Sequence, residues 1–277
     1  MIPFRAHLDV VLVLAAVEAA YVVGVRRVGA RYVEPGEPPA SRRQVMLFSA
    51  GVGVLFIGSF WPIHDLAERY LFSFHMVQHM LFTLVAPPLL LLGIPGWLAR
   101  LLVRPLMPVA RMVLRPIPAF LLYNAVLVAT HWPPVVELSV GSQPAHFVLH
   151  VVLVGSGLVM WWPVLSPLAE IPRLSYPGQM LYLFGQSIIP TVPASFLTFG
   201  DHPLYHVYEA FPRLWGVSAH TDQLVAGLLM KIGGGLILWA AIAVVFFTWF
   251  GREGADRPEE ADWQRLERDL NRAGREP

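Results

Sequence analysis

Long apolar runs separated by short polar segments fill the chain between residues 8 and 250. A helix needs about 20 residues to cross the roughly 30 Å hydrocarbon core of a bilayer. The runs therefore predict an all-α fold, a polytopic membrane helical bundle with about seven transmembrane helices. We place these helices at residues 8–25, 45–60, 71–93, 117–129, 145–162, 178–199 and 223–250.

Composition agrees with this pattern. Of the 277 residues, 56% are hydrophobic and only 14% are charged, whereas soluble domains are about 25% charged. Residues 1–251 are interpreted as one seven-span transmembrane domain, and residues 252–277 as a charged cytoplasmic tail that is a short helix or disordered. We expect the protein to lie in the lipid bilayer and to have no nucleic-acid partner.

Arginine placement predicts the orientation. With the N-terminus outside, the inner segments hold sixteen arginines and the outer segments only Arg5, Arg69 and Arg213. Because basic residues accumulate on the cytoplasmic side of membrane proteins, this asymmetry predicts an N-out, C-in topology. In a bacterium the chain would be a multi-pass protein of the cytoplasmic (inner) membrane, with its outer side facing the periplasm or the exterior.

Histidines are confined to one side in this topology. All ten fall on the outer side or in the outer half of a span, at positions 7, 64, 75, 79, 131, 146, 150, 202, 206 and 220. Three pairs have i, i+4 spacing, which places two imidazoles on one face of a helix. The pairs are His75 with His79, His146 with His150, and His202 with His206.

This pattern suggests a metal site. The chain has no cysteine, so thiolate, disulfide and iron–sulfur chemistry is excluded, and metal ligands must come from His, Met, Asp or Glu. Imidazole with thioether favours copper, particularly Cu(I), while imidazole alone also suits zinc or haem iron. The candidate ligands are His75, His79, His146 and His150 with Met76 and Met80, completed by His131, His220 and Asp222.

A structural explanation competes with each of these assignments. An i, i+4 histidine pair in a membrane helix is often a pair of satisfied interior side chains, and a methionine pair is often packing. His7, His64 and His131 lie at span boundaries, where an interfacial position is the simpler interpretation.

Two charges lie in the interior of the predicted spans, away from their ends. Glu18 and Lys231 sit at similar depth, where an isolated charge costs several kcal/mol. We therefore predict a structural intramembrane pair between Glu18 and Lys231. Prolines at 87, 88, 190 and 193 are expected to kink the third and sixth spans.

Four segments carry a family resemblance. They are HMVQHMLFTLVAPPLLLLGIPGW at 75–97, THWPPVVEL at 130–138, HFVLHVVLVGSGLVMWWPVL at 146–165 and WGVSAHTDQLVAGLLMKIGGGL at 215–236. The chain resembles the membrane-integral CtaG family of cytochrome c oxidase assembly factors through these segments, in the expected order. The first two spans and the tail match only as generic membrane segments.

The resemblance implies a function in the assembly of a haem–copper oxidase, plausibly by copper delivery or insertion at the outer side. Oxidase subunits and periplasmic copper carriers would be its partners, and it would not be an enzyme. Three alternatives stay open: a haem-binding membrane electron carrier, a copper permease, and a scaffold that holds oxidase subunits without metal. A haem carrier would show a Soret band, and a permease would need ligands in the inner half, where they are scarce.

Overall fold

Every regular element in the described part of the chain is helical, so the all-α prediction is confirmed. The computed structural model describes residues 3–255 and 266–268. Within these residues, six helices are long and apolar enough to span a membrane, and seven if one bent pair counts as a span. Residues 256–265 and 269–277 of the predicted tail lie outside the described residues.

The helices follow the predicted spans with small shifts at their ends. Five short helical turns join or extend them: π turns at Gly24–Val28, Leu81–Val85 and Leu229–Gly233, and 3₁₀ turns at Gly29–Arg31 and Arg104–Leu106. The α-helices are α1 Leu8–Val23, α2 Arg42–Ser59, α3 Ile63–Arg69, α4 Phe72–Met80, α5 Ala86–Gly93, α6 Gly96–Val103, α7 Met107–Val113, α8 Pro116–Thr130, α9 Pro133–Gly141, α10 Gln143–Leu165, α11 Tyr176–Ile188, α12 Thr191–Phe199, α13 His206–Glu209, α14 Ala219–Leu228 and α15 Gly234–Ala255.

The fourth span is the short one. Helix α8 has 15 residues, which is about 22 Å of helix and less than the hydrocarbon thickness. The segment Gly96–Val113 precedes it and is bent by 91° against α8. The two together therefore do not form one straight crossing.

A break in the third span shapes the centre of the bundle. Helix α4 passes through the π turn Leu81–Val85 into α5, which begins just before Pro87 and Pro88. In an α turn the N–H of residue 87 would bond the carbonyl of Thr83, and in a π turn the N–H of residue 88 would do so. Both residues are prolines, so neither has this N–H. The indole Nε1 of Trp161 donates to that carbonyl instead, at 3.0 Å.

Close packing at Gly157 brings Trp161 to this break. A Cβ atom at Gly157 would lie 2.8 Å from Pro87 Cγ and 2.9 Å from the Thr83 carbonyl oxygen, so only glycine lets α10 approach so near. In the sixth span, α11 ends at Ile188 and α12 begins at Thr191, with Pro190 between them. The regular α-helix is therefore interrupted near the prolines of both spans, where the sequence predicted kinks.

The third span is also the most buried of the candidate spans. Helices α2, α3 and α14 pack against α4, and His131 after α8 lies beside His79. The start of α10 reaches α3 through His146 and Glu68. We call this end of the bundle the histidine end.

Candidate metal centre

Seven histidines approach one another at the histidine end, from helices that are distant in sequence. Their rings form two chains of close neighbours. One runs from His7 through His64 to His146 and His150, with ring centroids 4.6, 5.3 and 4.0 Å apart. The other joins His75, His79 and His131, with centroids 4.5 and 5.2 Å apart.

We name two sets of side chains. The inner group consists of His75, His79 and His131 with Met76 and Met80. The groove group consists of His64, Glu68, His146 and His150. Every histidine in both sets except His150 is buried, and His150 is half-buried.

A cavity of about 50 Å³ lies beside the inner group, between α4, α8, α12 and the π turn Leu229–Gly233, and His75 is outside its lining. His79 and His131 reach this cavity together with both methionines, Met76 and Met80. The i, i+4 spacing of His75 and His79 on α4 places their rings beside each other as predicted.

His131 offers an unprotonated nitrogen to the inner group. Its Nδ1 lies 2.6 Å from the main-chain carbonyl oxygen of Leu127, and a carbonyl only accepts, so the ring proton is on Nδ1. The neutral ring then has a lone pair on Nε2, which is buried without a hydrogen-bond partner. The Nδ1 of His75 is also buried without a partner. Burying such atoms without a bond costs free energy, and a metal ion would compensate for it.

The groove group is arranged around a carboxylate. One Glu68 oxygen lies 3.0 Å from His146 Nε2 and the other lies 3.4 Å from His64 Nε2. One ligand atom from each of these three residues fits within 4.8 Å of the others. A groove of about 450 Å³ opens beside them, with walls from α1, α2 and α10.

A short segment closes the histidine end above the inner group. Between α12 and α14, the hydroxyl of Tyr205 donates to the carbonyl of His131 and that of Tyr208 donates to the carbonyl of Ala67, each at 2.9 Å. Burial raises the pKa of both tyrosines, so both hydroxyls remain protonated donors at neutral pH. We call residues 200–218 the cap segment.

Asp222 is buried at the same end, and each of its carboxylate oxygens accepts a hydrogen bond. They accept hydrogen bonds from the main-chain N–H groups of Phe72 at 2.6 Å and Ser73 at 3.1 Å, in the first turn of α4. This contact satisfies N–H groups that have no partner within the helix. Asp222 therefore positions the helix that carries His75 and His79, and the structure does not bring it into the ligand set.

The remaining histidines lie outside both groups. His220 Nε2 bonds the carbonyl of Gly200 at 2.9 Å and is exposed. His202 and His206 were expected to share a helix face, but α13 begins only at His206, which pairs with Glu209. The third i, i+4 pair is thus wrong as a helical pair, because Pro203 and the loop around it separate the two residues.

The predicted intramembrane pair is not formed. Glu18 accepts a hydrogen bond from the hydroxyl of Ser49 at 2.5 Å. The Lys231 Nζ lies 5.6 Å from the centre of the Phe199 ring and lines the cavity of the inner group. Each charge has local partners, so no contact between the first and last spans is needed to hold it.

Sequence reasoning missed His64 and Glu68. His64 was interpreted as interfacial, yet it is 7% exposed and central to the groove group. A signal was present, since His64 and Glu68 have the same i, i+4 spacing as the histidine pairs and share α3.

Comparison with protein families identifies a match over most of the chain. The family model described as cytochrome c oxidase caa3 assembly factor (Caa3_CtaG) matches residues 19–252. No curated protein and no solved structure matches the chain.

Proposed function

Because the chain belongs to the cytochrome c oxidase caa3 assembly factor family, we propose that it holds copper in the inner group for transfer to an oxidase subunit. It acts as a carrier in the bacterial cytoplasmic membrane and catalyses no reaction. Its partners are oxidase subunits and periplasmic copper carriers, which meet it at the histidine end if the arginine distribution sets the orientation.

One observation supports a metal-ligand role most directly. His131 has its proton fixed on Nδ1 by the Leu127 carbonyl, and its free Nε2 is buried without a partner next to the ring of His79. Metal-ligating histidines are usually oriented in this way by a second hydrogen bond.

The neighbouring side chains favour Cu(I) over harder ions. The thioethers of Met76 and Met80 line the same cavity, and thioether with neutral imidazole is a soft, uncharged ligand set. Such a set suits a monovalent ion that must later be released, because it adds no anionic ligand that would hold the ion more tightly.

Copper binding is tested with the purified full-length protein. We expect Cu(I), measured by competition with a chromophoric chelator, to bind one site that is lost in His79→Ala and in His131→Ala. His206→Ala is the matched control, since His206 is an exposed histidine at the same end. Wild-type protein that binds no more Cu(I) than the two variants would contradict the proposal.

The same sample distinguishes the alternatives. A Soret band in the absorption spectrum of the protein as purified would show that it binds haem, and the haem-carrier hypothesis would then replace the copper proposal. Full support of oxidase assembly by His79→Ala and His131→Ala proteins in cells would favour a scaffold without metal. Copper movement across vesicles that contain the protein would indicate a permease.

A further inference from the structure

The groove group has a ligand chemistry different from that of the inner group. We propose that His64, Glu68 and His146 form a second metal site, which binds a divalent transition-metal ion independently of the inner group. This site does not rest on the proposed copper function, because none of its three residues belongs to the inner group.

Contacts around Glu68 carry the proposal. His146 Nε2 lies 3.0 Å from Glu68 Oε1 but makes no hydrogen bond there, because the geometry is unsuitable. His64 Nε2 lies 3.4 Å from Glu68 Oε2, again without a hydrogen bond. Three ligand atoms that lie close together without hydrogen bonds between them have the arrangement expected of metal ligands. Ligands at about 2.0–2.2 Å from a tetrahedral ion are about 3.3 Å apart, and the three ligand atoms already lie within 4.8 Å of one another.

A second hydrogen bond prepares His146 for this role. Its Nδ1 lies 3.1 Å from the hydroxyl oxygen of Ser139 on α9. The Ser139 hydroxyl can accept as well as donate, so Nδ1 can carry the ring proton when a metal ion takes the lone pair of Nε2 on the side of Glu68.

His64 is prepared less completely. The Gln78 amide nitrogen is shared between the Gly58 carbonyl at 2.7 Å and His64 Nδ1 at 3.1 Å. Ligation through Nε2 moves the His64 proton to Nδ1, and the amide must then turn its Oε1 to that proton. This oxygen is buried without a partner, but turning the amide gives up the bond to Gly58. Binding thus has a cost that favours an exchangeable ion.

The ligand set selects the class of ion. Two imidazoles and one carboxylate suit divalent first-row ions such as Zn²⁺ and Cu²⁺, and no thioether lies in this group to favour Cu(I). The nearby carboxylate of Asp65 does not compete, because His7 bonds it at 2.9 Å and Arg5 approaches it at 3.9 Å.

The groove supplies access. His64, Glu68 and His146 all line it, so a fourth ligand position can be filled by water or by an incoming ligand. Three protein ligands with one open position are typical of sites at which the ion reacts or exchanges, whereas structural sites have four.

The test uses Zn²⁺, which is redox-silent, titrated calorimetrically into the full-length protein. We expect one Zn²⁺ site that weakens by more than about a hundredfold in Glu68→Gln, since even outer-shell partners of metal sites contribute about 10- to 100-fold. His79→Ala and His131→Ala should bind Zn²⁺ as the wild type does. Glu209→Gln is the matched control, because Glu209 is an exposed acid beside a histidine at the same end.

Cu(I) binding by the same variants separates this proposal from the copper function. Glu68→Gln protein that retains its Cu(I) site while losing Zn²⁺ supports two sites, and it also shows that the variant is folded. Unchanged Zn²⁺ affinity in Glu68→Gln, or equal loss in His131→Ala, overturns the proposal.

X-ray absorption on the zinc-loaded wild type is the second measurement and needs no variant. We expect a shell of nitrogen and oxygen with imidazole scattering. Sulfur in the first shell, or a wild type that binds no Zn²⁺, overturns the proposal.

Discussion

Asp222 accepts a hydrogen bond from the main-chain N–H of Phe72 at 2.6 Å, across 150 residues of sequence. The contact joins the first turn of α14 to the first turn of α4, and Ser73 donates to the other carboxylate oxygen. Metal binding at His75 and His79 depends on it only through the position of α4.

Asp222→Asn is therefore expected to lower stability rather than remove a ligand. The substitution turns one acceptor into a donor that faces an N–H group, at a cost of about 1–3 kcal/mol. Thermal unfolding in detergent micelles measures this, with Asp201→Asn as the control, because Asp201 is an exposed acid in the cap segment. Loss of copper without a lower melting temperature would instead identify Asp222 as a ligand.

Alkaline pH should loosen the cap segment. Burial raises the pKa of Tyr205 above its ordinary value of 10.0. A raised pKa in the folded state contributes stability that is present below about pH 10 and is lost as the pH rises towards the folded-state pKa. We expect the melting temperature of the wild type to fall more steeply above pH 10 than that of Tyr205→Phe. Parallel curves for the two proteins would show that Tyr205 does not contribute in this way.

A methyl group at Gly233 should disturb the thioether of Met80. A Cβ there would lie 3.3 Å from Met80 Sδ, whereas a Cβ at Gly235 would meet no atom within 4 Å. We expect Gly233→Ala to weaken Cu(I) binding by about 1 kcal/mol, or about fivefold, and Gly235→Ala to leave it unchanged. Equal affinities of the two variants would exclude Met80 from the copper site.

Glu18 and Lys231 should behave independently. A double-mutant cycle of Glu18→Gln with Lys231→Met is expected to give a coupling energy below about 0.5 kcal/mol, as for distant sites. The cycle of Glu18→Gln with Ser49→Ala is the positive comparison, because these two side chains are bonded. A larger coupling in the first cycle than in the second would restore the pair predicted from sequence.

The sequence was sufficient for features that depend on local geometry. Helical periodicity alone brings His75 beside His79 and His146 beside His150, since each pair lies within one helix. It failed for His202 and His206 because their spacing falls across Pro203, where the chain is not helical.

Contacts between distant segments could not be predicted in this way. Glu68 on α3 meets His146 on α10 across 78 residues of sequence, and no spacing in the sequence indicates that contact. Equal depth suggested a partner for Glu18, but the nearest donor, Ser49, comes from the adjacent helix. Depth in the membrane restricts where two groups lie along one axis only, so it does not identify neighbours.

The bond between Trp161 and the Thr83 carbonyl restricts the order in which substitutions can be tolerated. Trp161→Phe alone leaves that carbonyl without a donor inside the membrane, where each unpaired backbone group costs several kcal/mol. Pro87→Ala returns a donor to the helix itself, so the loss of Trp161 should be harmful in the presence of Pro87 and largely neutral after its replacement. Melting temperatures of the two single variants and the double variant measure this epistasis. Through this one carbonyl, the substitutions tolerated in α5 depend on the residue present in α10.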